Sequence, residues 1–256
     1  MRKNNVKKIL GEGGSITNGW LHIPNTWSAE VMASAGWDAV TVDMQHGLMD
    51  METAIQMLQA ISTTDTMPLA RAGWNKPGEI MRLLDGGAYG IICPMINTRE
   101  ECEAFVGACK YPPQGYRSVG PTRAKVYGGS DYVDHANDEL LTLAMIETVQ
   151  ALENIEAILS VEGLDGIFAG SGDLRLSLIA QFGHNEIQKY FESSLEKVMS
   201  ACERANKTPG IWSPNIDAAE DAIKKGFRFL SISSDSMILS AQSKQLAETM
   251  KSKLKN

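Results

Sequence analysis

The sequence predicts an α/β fold, a (β/α)₈ TIM barrel, on three observations. Short apolar or β-branched runs alternate with longer amphipathic segments along the chain, which indicates βαβ units and a parallel sheet. Eight such runs fall within 256 residues, the number that a closed barrel needs. No Pro/Ser linker or low-complexity tract divides the chain, so we expect one barrel domain over residues 1–256. A doubly wound open sheet, which usually stops at about five or six strands, is the alternative.

The candidate strands are short and are separated by segments with helical periodicity. In order they are residues 19–23, 39–43, 68–72, 90–93, 141–146, 166–169, 208–212 and 229–233. The amphipathic segments between them include residues 77–87 and 190–206, which end at Gly or Asn as helices often do. In a barrel of this kind the C-terminal strand ends and the loops after them carry the chemistry. Polar residues at those positions are therefore the first candidates for a site.

Composition and charge exclude several classes of partner. With 24 Lys+Arg against 31 Asp+Glu the net charge is −7, which argues against nucleic acid. No apolar run approaches the roughly 18 residues that span a bilayer, and the basic start has no apolar segment behind it. We therefore expect a cytoplasmic protein with no membrane contact. The four cysteines lack metal-ligand or disulfide spacing and are predicted to be reduced core thiols.

Asp43 and His46 follow the second candidate strand, and Arg71 lies at the end of the third. A histidine that an aspartate can orient is a natural general base at neutral pH. An arginine buried at a strand end needs an anionic partner and could hold a carboxylate or an enolate. The alternatives are structural: Asp43 caps the next helix, His46 is a passive loop residue, and Arg71 pairs with Asp43 or Glu147.

Glu147 and Asp173 follow the adjacent fifth and sixth candidate strands. Two carboxylates at one barrel rim, completed by water and substrate oxygens, are typical of a Mg²⁺ or Mn²⁺ site. Gly170 and Gly172 allow the backbone to approach a ligand closely at the start of the following helix. Acid/base work by the two carboxylates without a metal is the alternative, but Arg71 nearby would tend to keep them ionised.

Three other features are less specific. The glycine-rich residues 11–14 precede a strand instead of following one, so they lack the context of a nucleotide loop. Residues 116–120 lie in a long loop that either closes over the site with Arg123 or covers the surface. Leu246, Met250 and Leu254 form a stripe with four-residue spacing near the C-terminus, which indicates packing against a core or a partner subunit.

Seven motifs occur in order along nearly the whole chain: VDMQHG, LARAG, RLLDGGAYGIICPM, YPPQGYRSVGP, MIETVQALENIEAI, VEGLDGIFAGSGDL and SISSD. This set resembles the metal-dependent class II pyruvate aldolases of the HpcH/HpaI family. That family includes 4-hydroxy-2-oxoheptanedioate aldolase and 2-keto-3-deoxy sugar-acid aldolases. The resemblance implies a barrel whose C-terminal helix swaps between subunits of a homo-oligomer, dimer-based and often hexameric.

The resemblance also implies roles for individual residues. Glu147 and Asp173 would hold the divalent metal cofactor, which would be Mg²⁺, Mn²⁺ or Co²⁺. His46 with Asp43 would be the catalytic pair, and Arg71 would bind substrate and stabilise the enolate. Asp85 resembles a residue that family members place near a neighbouring subunit's active site, and we expect it to be catalytic. We expect Gly172, Asp173 and Gln45 to contribute to substrate binding.

Two departures from the family pattern concern the substrate. Gln45 stands where well-known members carry an acidic residue before the histidine, and Ser171 and Gly172 replace a Pro-Ala pair before the metal aspartate. Both changes leave the proposed metal and base positions intact. They bear on the aldehyde half of the substrate and on the shape of the pyruvate pocket.

The expected activity is reversible cleavage of a 4-hydroxy-2-oxo acid to pyruvate, or a close 2-oxo acid, and an aldehyde. A Schiff-base aldolase is disfavoured, because no candidate strand places a lysine at its C-terminal end. An acyl-CoA lyase would share the metal-enolate chemistry, but the chain has no obvious extension for CoA. A 2-oxo-acid-binding protein on a degenerate barrel is the non-enzymatic alternative, and it would have no need of the base.

Overall fold

Eight parallel strands form a closed barrel in the order β1 to β8 in the computed structural model, which describes residues 1–254. The strands are β1 (Ile16–Leu21), β2 (Ala39–Asp43), β3 (Met67–Arg71), β4 (Gly90–Cys93), β5 (Leu141–Ile146), β6 (Gly166–Ala169), β7 (Thr208–Ser213) and β8 (Phe229–Ile232). Pairing of β8 with β1 closes the barrel. The predicted fold class is therefore confirmed, and the doubly wound alternative is wrong.

Helices surround the barrel and connect successive strands. Within the described residues they are α1 (Asn5–Gly11), α2 (Thr26–Ala33), α3 (Met51–Ile61), α4 (Pro77–Asp85), α5 (Arg99–Cys109), α6 (Thr122–Gly128), α7 (Tyr132–Glu139), α8 (Val149–Glu153), α9 (Ile155–Leu159), α10 (Ser171–Phe182), α11 (Ile187–Ala205), α12 (Ile216–Lys224) and α13 (Asp235–Lys253). None of these helices is both long enough and apolar enough to cross a membrane.

Side-chain oxygens set several helix starts. The hydroxyl of Thr98 and the carboxylate of Glu101 form a reciprocal capping box at the start of α5. The side chains of Asn25, Asp50 and Asn215 accept backbone N–H groups at the starts of α2, α3 and α12. These caps fix where each loop at the C-terminal barrel rim becomes helix.

Apolar side chains fill two regions, one inside the barrel and one between the barrel and its helices. Trp20, Phe168 and Phe229 pack together inside the barrel, where α1 contributes Val6 and Leu10 from the N-terminal end. The four cysteines are buried without disulfide bonds, as predicted: Cys93, Cys102, Cys109 and Cys202. A packed interior of this kind leaves only the rim for substrate.

The first strand begins three residues earlier than expected and ends at Leu21. The sequence prediction missed its start because Thr17 and Asn18 are polar. Asn18 is nevertheless buried, because its amide donates to the hydroxyl of Ser231 and accepts from the hydroxyl of Thr41. This polar layer inside the barrel satisfies the side chain without solvent. The shift moves His22 from the strand interior to the first position after it.

Candidate active site

Asp43 and Arg71 are register partners at the ends of β2 and β3, and strand geometry therefore brings them together. The guanidinium binds the carboxylate in two places, through Nε to Oδ1 at 2.8 Å and through Nη2 to Oδ2. This fork uses one edge of the guanidinium and leaves Nη1 for an anion in the barrel mouth. Arg71 therefore forms the ion pair with Asp43 that the sequence analysis gave as the structural alternative. This ion pair orients the guanidinium without using all of its N–H donors.

The Asp43 carboxylate is fully buried and is surrounded by further donors. Trp20 Nε1 donates to Oδ2 at 3.0 Å, and the backbone N–H groups of Gln45 and His46 donate to Oδ1 at 3.0 and 3.3 Å. Nε2 of His22 lies 2.9 Å from Oδ2. Burial alone would raise the pKa of Asp43, but the contacts with His22 and Arg71 hold it well below its usual range. Asp43 therefore acts as an ionised anchor.

His46 lines the same cavity but is not oriented as the sequence suggested. Its ring is exposed, and the Asp43 carboxylate contacts the loop through the His46 backbone N–H. In the part of the chain that the structure describes, the imidazole in contact with Asp43 is that of His22. The expected pairing of the Asp43 carboxylate with the His46 ring is therefore wrong for this structure, although His46 stays at the rim, where a base is needed. Asp43 is also not the cap of α3, because that role belongs to Asp50.

Glu147 is buried directly after β5, with one oxygen fixed by the backbone. The N–H of Met95 donates to Oε2 at 2.8 Å. Burial, with a smaller contribution from the charge of Asp173, raises the pKa of Glu147. A Cβ on Gly170 would lie 2.4 Å from both Cγ and Oε1 of Glu147, so the carboxylate fits only because residue 170 is glycine.

Asp173 lies in the first turn of α10, where the positive end of the helix dipole favours a carboxylate. Within residues 1–254 no cluster of three or more His, Cys, Asp or Glu side chains has the geometry of a metal site. Glu147 and Asp173 line one cavity, however, and the charge of Asp173 acts on Glu147. Two hard oxygen donors facing open space fit a Mg²⁺ or Mn²⁺ ion that takes its other ligands from water and substrate.

These residues converge on one cavity of about 230 Å³ at the C-terminal ends of the strands. Its apolar walls include Trp20, Met145, Phe168 and Trp212, and its polar lining includes Arg71, Glu147, Asp173, His22, His46 and the backbone of residues 170–172. Hydrophobic walls with a few convergent charged groups are typical of a small-molecule site. Carboxylates that can bind a cation and a guanidinium that can bind an anion thus line the same small cavity.

The match to known proteins is strong along nearly the whole chain. Residues 19–241 match the HpcH/HpaI aldolase/citrate lyase family. The chain belongs to this family. It is 40% identical over 247 residues to a hydroxypyruvate/pyruvate aldolase of Rhizorhabdus wittichii, covering 95% of this chain and 97% of that protein. It is 34% identical over 248 residues to a 4-hydroxy-2-oxo-heptane-1,7-dioate aldolase of Salmonella dublin, covering 96% and 94%.

A solved HpcH/HpaI family structure from Burkholderia cenocepacia has the same fold. It superposes with a TM-score of 0.90 at 26% sequence identity, covering 97% of this chain and 100% of that chain. The barrel and the loops that form the cavity therefore belong to a fold that this family shares.

Two residues that the family resemblance pointed to lie outside the cavity of this chain. Asp85 is the last residue of α4, away from the C-terminal rim, where its carboxylate accepts from Arg117 Nη2 at 2.6 Å. Gln45 is adjacent to the rim, but its side-chain oxygen is buried and has no hydrogen-bond partner among the described residues. Asp85 is therefore not part of this cavity, and Gln45 contributes its backbone N–H to Asp43.

Sequence reasoning missed His22, Trp20 and Trp212 as site residues. Trp20 and Trp212 lie within strands, and the sequence does not indicate that they face the cavity because side-chain direction there depends on barrel register. His22 could have been predicted as a site residue, because it is a polar residue directly after the end of the first strand. Placing the strand end at residue 23 concealed its position at the rim.

Proposed function

We propose that this chain is a class II, metal-dependent aldolase that reversibly cleaves a 4-hydroxy-2-oxo acid to pyruvate, or a close 2-oxo acid, and an aldehyde. One observation carries the proposal: Glu147, Asp173, Arg71 and His46 line one cavity at the C-terminal barrel rim. The names of the two relatives agree, since one is a hydroxypyruvate/pyruvate aldolase and the other cleaves a 4-hydroxy-2-oxo dioate.

Glu147 and Asp173 would hold the metal. Their all-oxygen donor set favours Mg²⁺ or Mn²⁺, and Co²⁺ is the third candidate. When bound, the cation supplies Lewis-acid stabilisation of the negative charge that develops on the 2-oxo acid. The Met95 N–H holds one oxygen of Glu147, which turns the other toward the cavity. This arrangement orients a buried ligand before the metal arrives.

Arg71 would stabilise the same developing charge through the guanidinium edge that Asp43 leaves open. His46 would take the proton of the C4 hydroxyl, directly or through water. The backbone N–H groups of Gly172 and Asp173 at the start of α10 would contact the carboxylate end of the substrate. Gln45 would shape the loop beside the cavity. In the described chain no lysine lines the cavity, so a Schiff-base route has no amine there.

We propose further that the protein works as a dimer-based homo-oligomer, a dimer or a hexamer, joined through α13. Leu246 and Met250 on this helix and Leu254 directly after it are 63%, 55% and 74% exposed, so their apolar stripe has no cover within the described chain. A second copy that exchanges α13 would bury it. The same assembly could bring Asp85 to a neighbouring cavity.

The test of the proposed activity is a panel of 4-hydroxy-2-oxo acids of different length and terminal charge, with pyruvate or hydroxypyruvate release as readout. We expect metal-dependent turnover of at least one compound by the wild type. Arg71→Ala should lose it, and Arg204→Ala, which removes an exposed arginine paired with Glu156, should keep it. Absence of 2-oxo acid release from every compound at saturating Mg²⁺ or Mn²⁺ would contradict the proposal.

A further inference from the structure

His22 is held on two sides at the cavity rim. Nε2 of its ring lies 2.9 Å from Oδ2 of Asp43, and Nδ1 lies 3.5 Å from the hydroxyl of Ser236 at the start of α13. The pKa of Asp43 is far below its usual range, so the proton between the carboxylate and the ring belongs to His22. The Asp43 contact therefore places a proton on Nε2 of His22.

Asp235, the first residue of α13, holds the backbone that carries His22. Its buried carboxylate accepts from the N–H of His22 at 2.8 Å, from the N–H of Ile23 at 3.2 Å and from the hydroxyl of Ser28 at 2.8 Å. It also accepts from the N–H of Ser236. A carboxylate that receives several N–H and O–H groups fixes their positions strongly. The turn after β1 is thus tied to the last helix.

Asp235 is also the only buried residue of α13 among the described residues, and the remainder of the helix is exposed or half-exposed. Of the barrel strands, β1 is the one that α13 contacts most. The start of α13 is therefore attached to the barrel at the turn after β1, and this turn carries the cavity residue His22.

We propose that Asp235 and His22 are positioning residues for Arg71. Asp235 places the His22 backbone, His22 donates to Oδ2 of Asp43, and Asp43 orients the guanidinium. Without His22, Oδ2 keeps only Trp20 and Arg71 as donors and the carboxylate has room to rotate. A change in the position of α13, including one imposed by a neighbouring subunit, would reach Arg71 along this path. The kinetic part of this inference rests on the proposed function.

The first test compares two substitutions of His22. Gln can donate from its amide nitrogen near the position of the imidazole Nε2, whereas Leu cannot donate at all. We expect His22→Leu to lower kcat/KM about tenfold or more, as loss of a hydrogen bond to a charged group implies. His22→Gln should recover most of that loss. Equal losses in both variants, or no loss in His22→Leu, would overturn the proposal.

The second test is a double-mutant cycle between Asp235 and His22. If Asp235 acts through His22, Asp235→Asn lowers kcat/KM in the wild type but adds less than about twofold on the His22→Leu background. Additive effects would mean that Asp235 acts by another route and would contradict the proposal. Asp217→Asn, which changes an exposed residue in the first turn of α12, is the matched control and should leave both backgrounds unchanged.

A third measurement does not depend on activity. NMR spectra of the histidine imidazoles should show His22 in the wild type with its proton on Nε2, with the assignment made from His22→Gln. Asp235→Asn should shift or broaden that signal, and Asp217→Asn should not. An unchanged His22 signal in Asp235→Asn would overturn the positioning role. If the wild type releases no 2-oxo acid from any compound, the proposed function fails, and this spectrum still decides the present inference.

Discussion

Asp43 organises the cavity as an anchor rather than as a proton carrier. It receives two hydrogen bonds from Arg71, one from Trp20 and two from backbone N–H groups, in addition to the contact with His22. A carboxylate with this many donors stays ionised at neutral pH and fixes the groups around it. For the proposed proton transfer this leaves His46 as the candidate imidazole, because its exposed ring lies at the rim while the His22 ring contacts Asp43.

Asp43→Asn should destabilise the protein at neutral pH by about 3 kcal/mol or more, because it leaves the charge of Arg71 buried without its partner. The pKa of Asp43 is lowered from its ordinary 3.8 in the folded state. Its contribution is therefore fully present above pH about 4 and is lost as the pH falls through the folded pKa. In urea unfolding, the difference between the wild type and the variant should be constant from pH 7 to about pH 4 and should begin to narrow as the pH falls from 4 to 3. A difference that stays constant down to pH 3 would contradict this assignment, and the exposed Asp217→Asn is the control.

His46→Ala should separate two reactions that share the pyruvate enolate. Carbon–carbon cleavage needs removal of the C4 hydroxyl proton, so we expect a loss of roughly 10² to 10⁴-fold. Decarboxylation of oxaloacetate gives the same enolate with no hydroxyl to deprotonate and should survive much better. Arg71→Ala should impair both reactions, because its charge serves both transition states. Equal losses of the two activities in His46→Ala would assign the loop of residues 43–47 a structural role.

The sequence predicted which charged residues form the site more reliably than it predicted the contacts between them. Asp43, Arg71, Glu147 and Asp173 could be predicted because each lies at or just after a strand end, and parallel strands end at one rim. The partner of the Asp43 carboxylate could not be predicted. Chain proximity favoured His46, three residues away, whereas the closed barrel brings His22 from the neighbouring strand. Only strand register decides between them.

At the scale of secondary-structure elements, the junction of β5 and β6 builds the proposed metal site. Ile146 and Ala169 are register partners, so Glu147 and Gly170 leave their strands side by side. Gly170 directly precedes α10, whose first turn carries Asp173. The strand boundaries here were predicted correctly because both runs are short and mainly apolar, with Thr142 as the one polar residue. The first strand was misplaced because its buried Asn18 is polar and is satisfied only inside the closed barrel.

Gly170→Ala should displace Glu147, because the new Cβ would lie 2.4 Å from Cγ and Oε1 of that side chain. The Mg²⁺ or Mn²⁺ concentration for half-maximal activity should rise by roughly tenfold or more. Gly11→Ala, where a new Cβ meets no atom within 4 Å, is the matched control and should leave the metal requirement unchanged. An unaltered metal requirement in Gly170→Ala would show that Glu147 is not held against this glycine.

At the scale of the whole molecule, the exposed apolar residues of α13 predict that the protein assembles into an oligomer. The 27.9 kDa chain should run well above monomer mass in light scattering at micromolar concentration. Leu246→Lys combined with Met250→Lys should lower that mass, since charges on the apolar stripe oppose burial. The exposed Lys244→Gln is a control on the same helix. A wild-type monomer would refute assembly through this helix.

The most direct measurement of the central claim is 2-oxo acid release by protein stripped of metal with a chelator, before and after addition of Mg²⁺ or Mn²⁺. We expect no turnover in the stripped wild type and full recovery on adding either ion. Glu147→Gln and Asp173→Asn should fold and yet fail to recover, because each loses a carboxylate that the ion requires. Full activity in the stripped wild type, or recovery in both variants equal to the wild type, would contradict a metal-dependent aldolase at this rim.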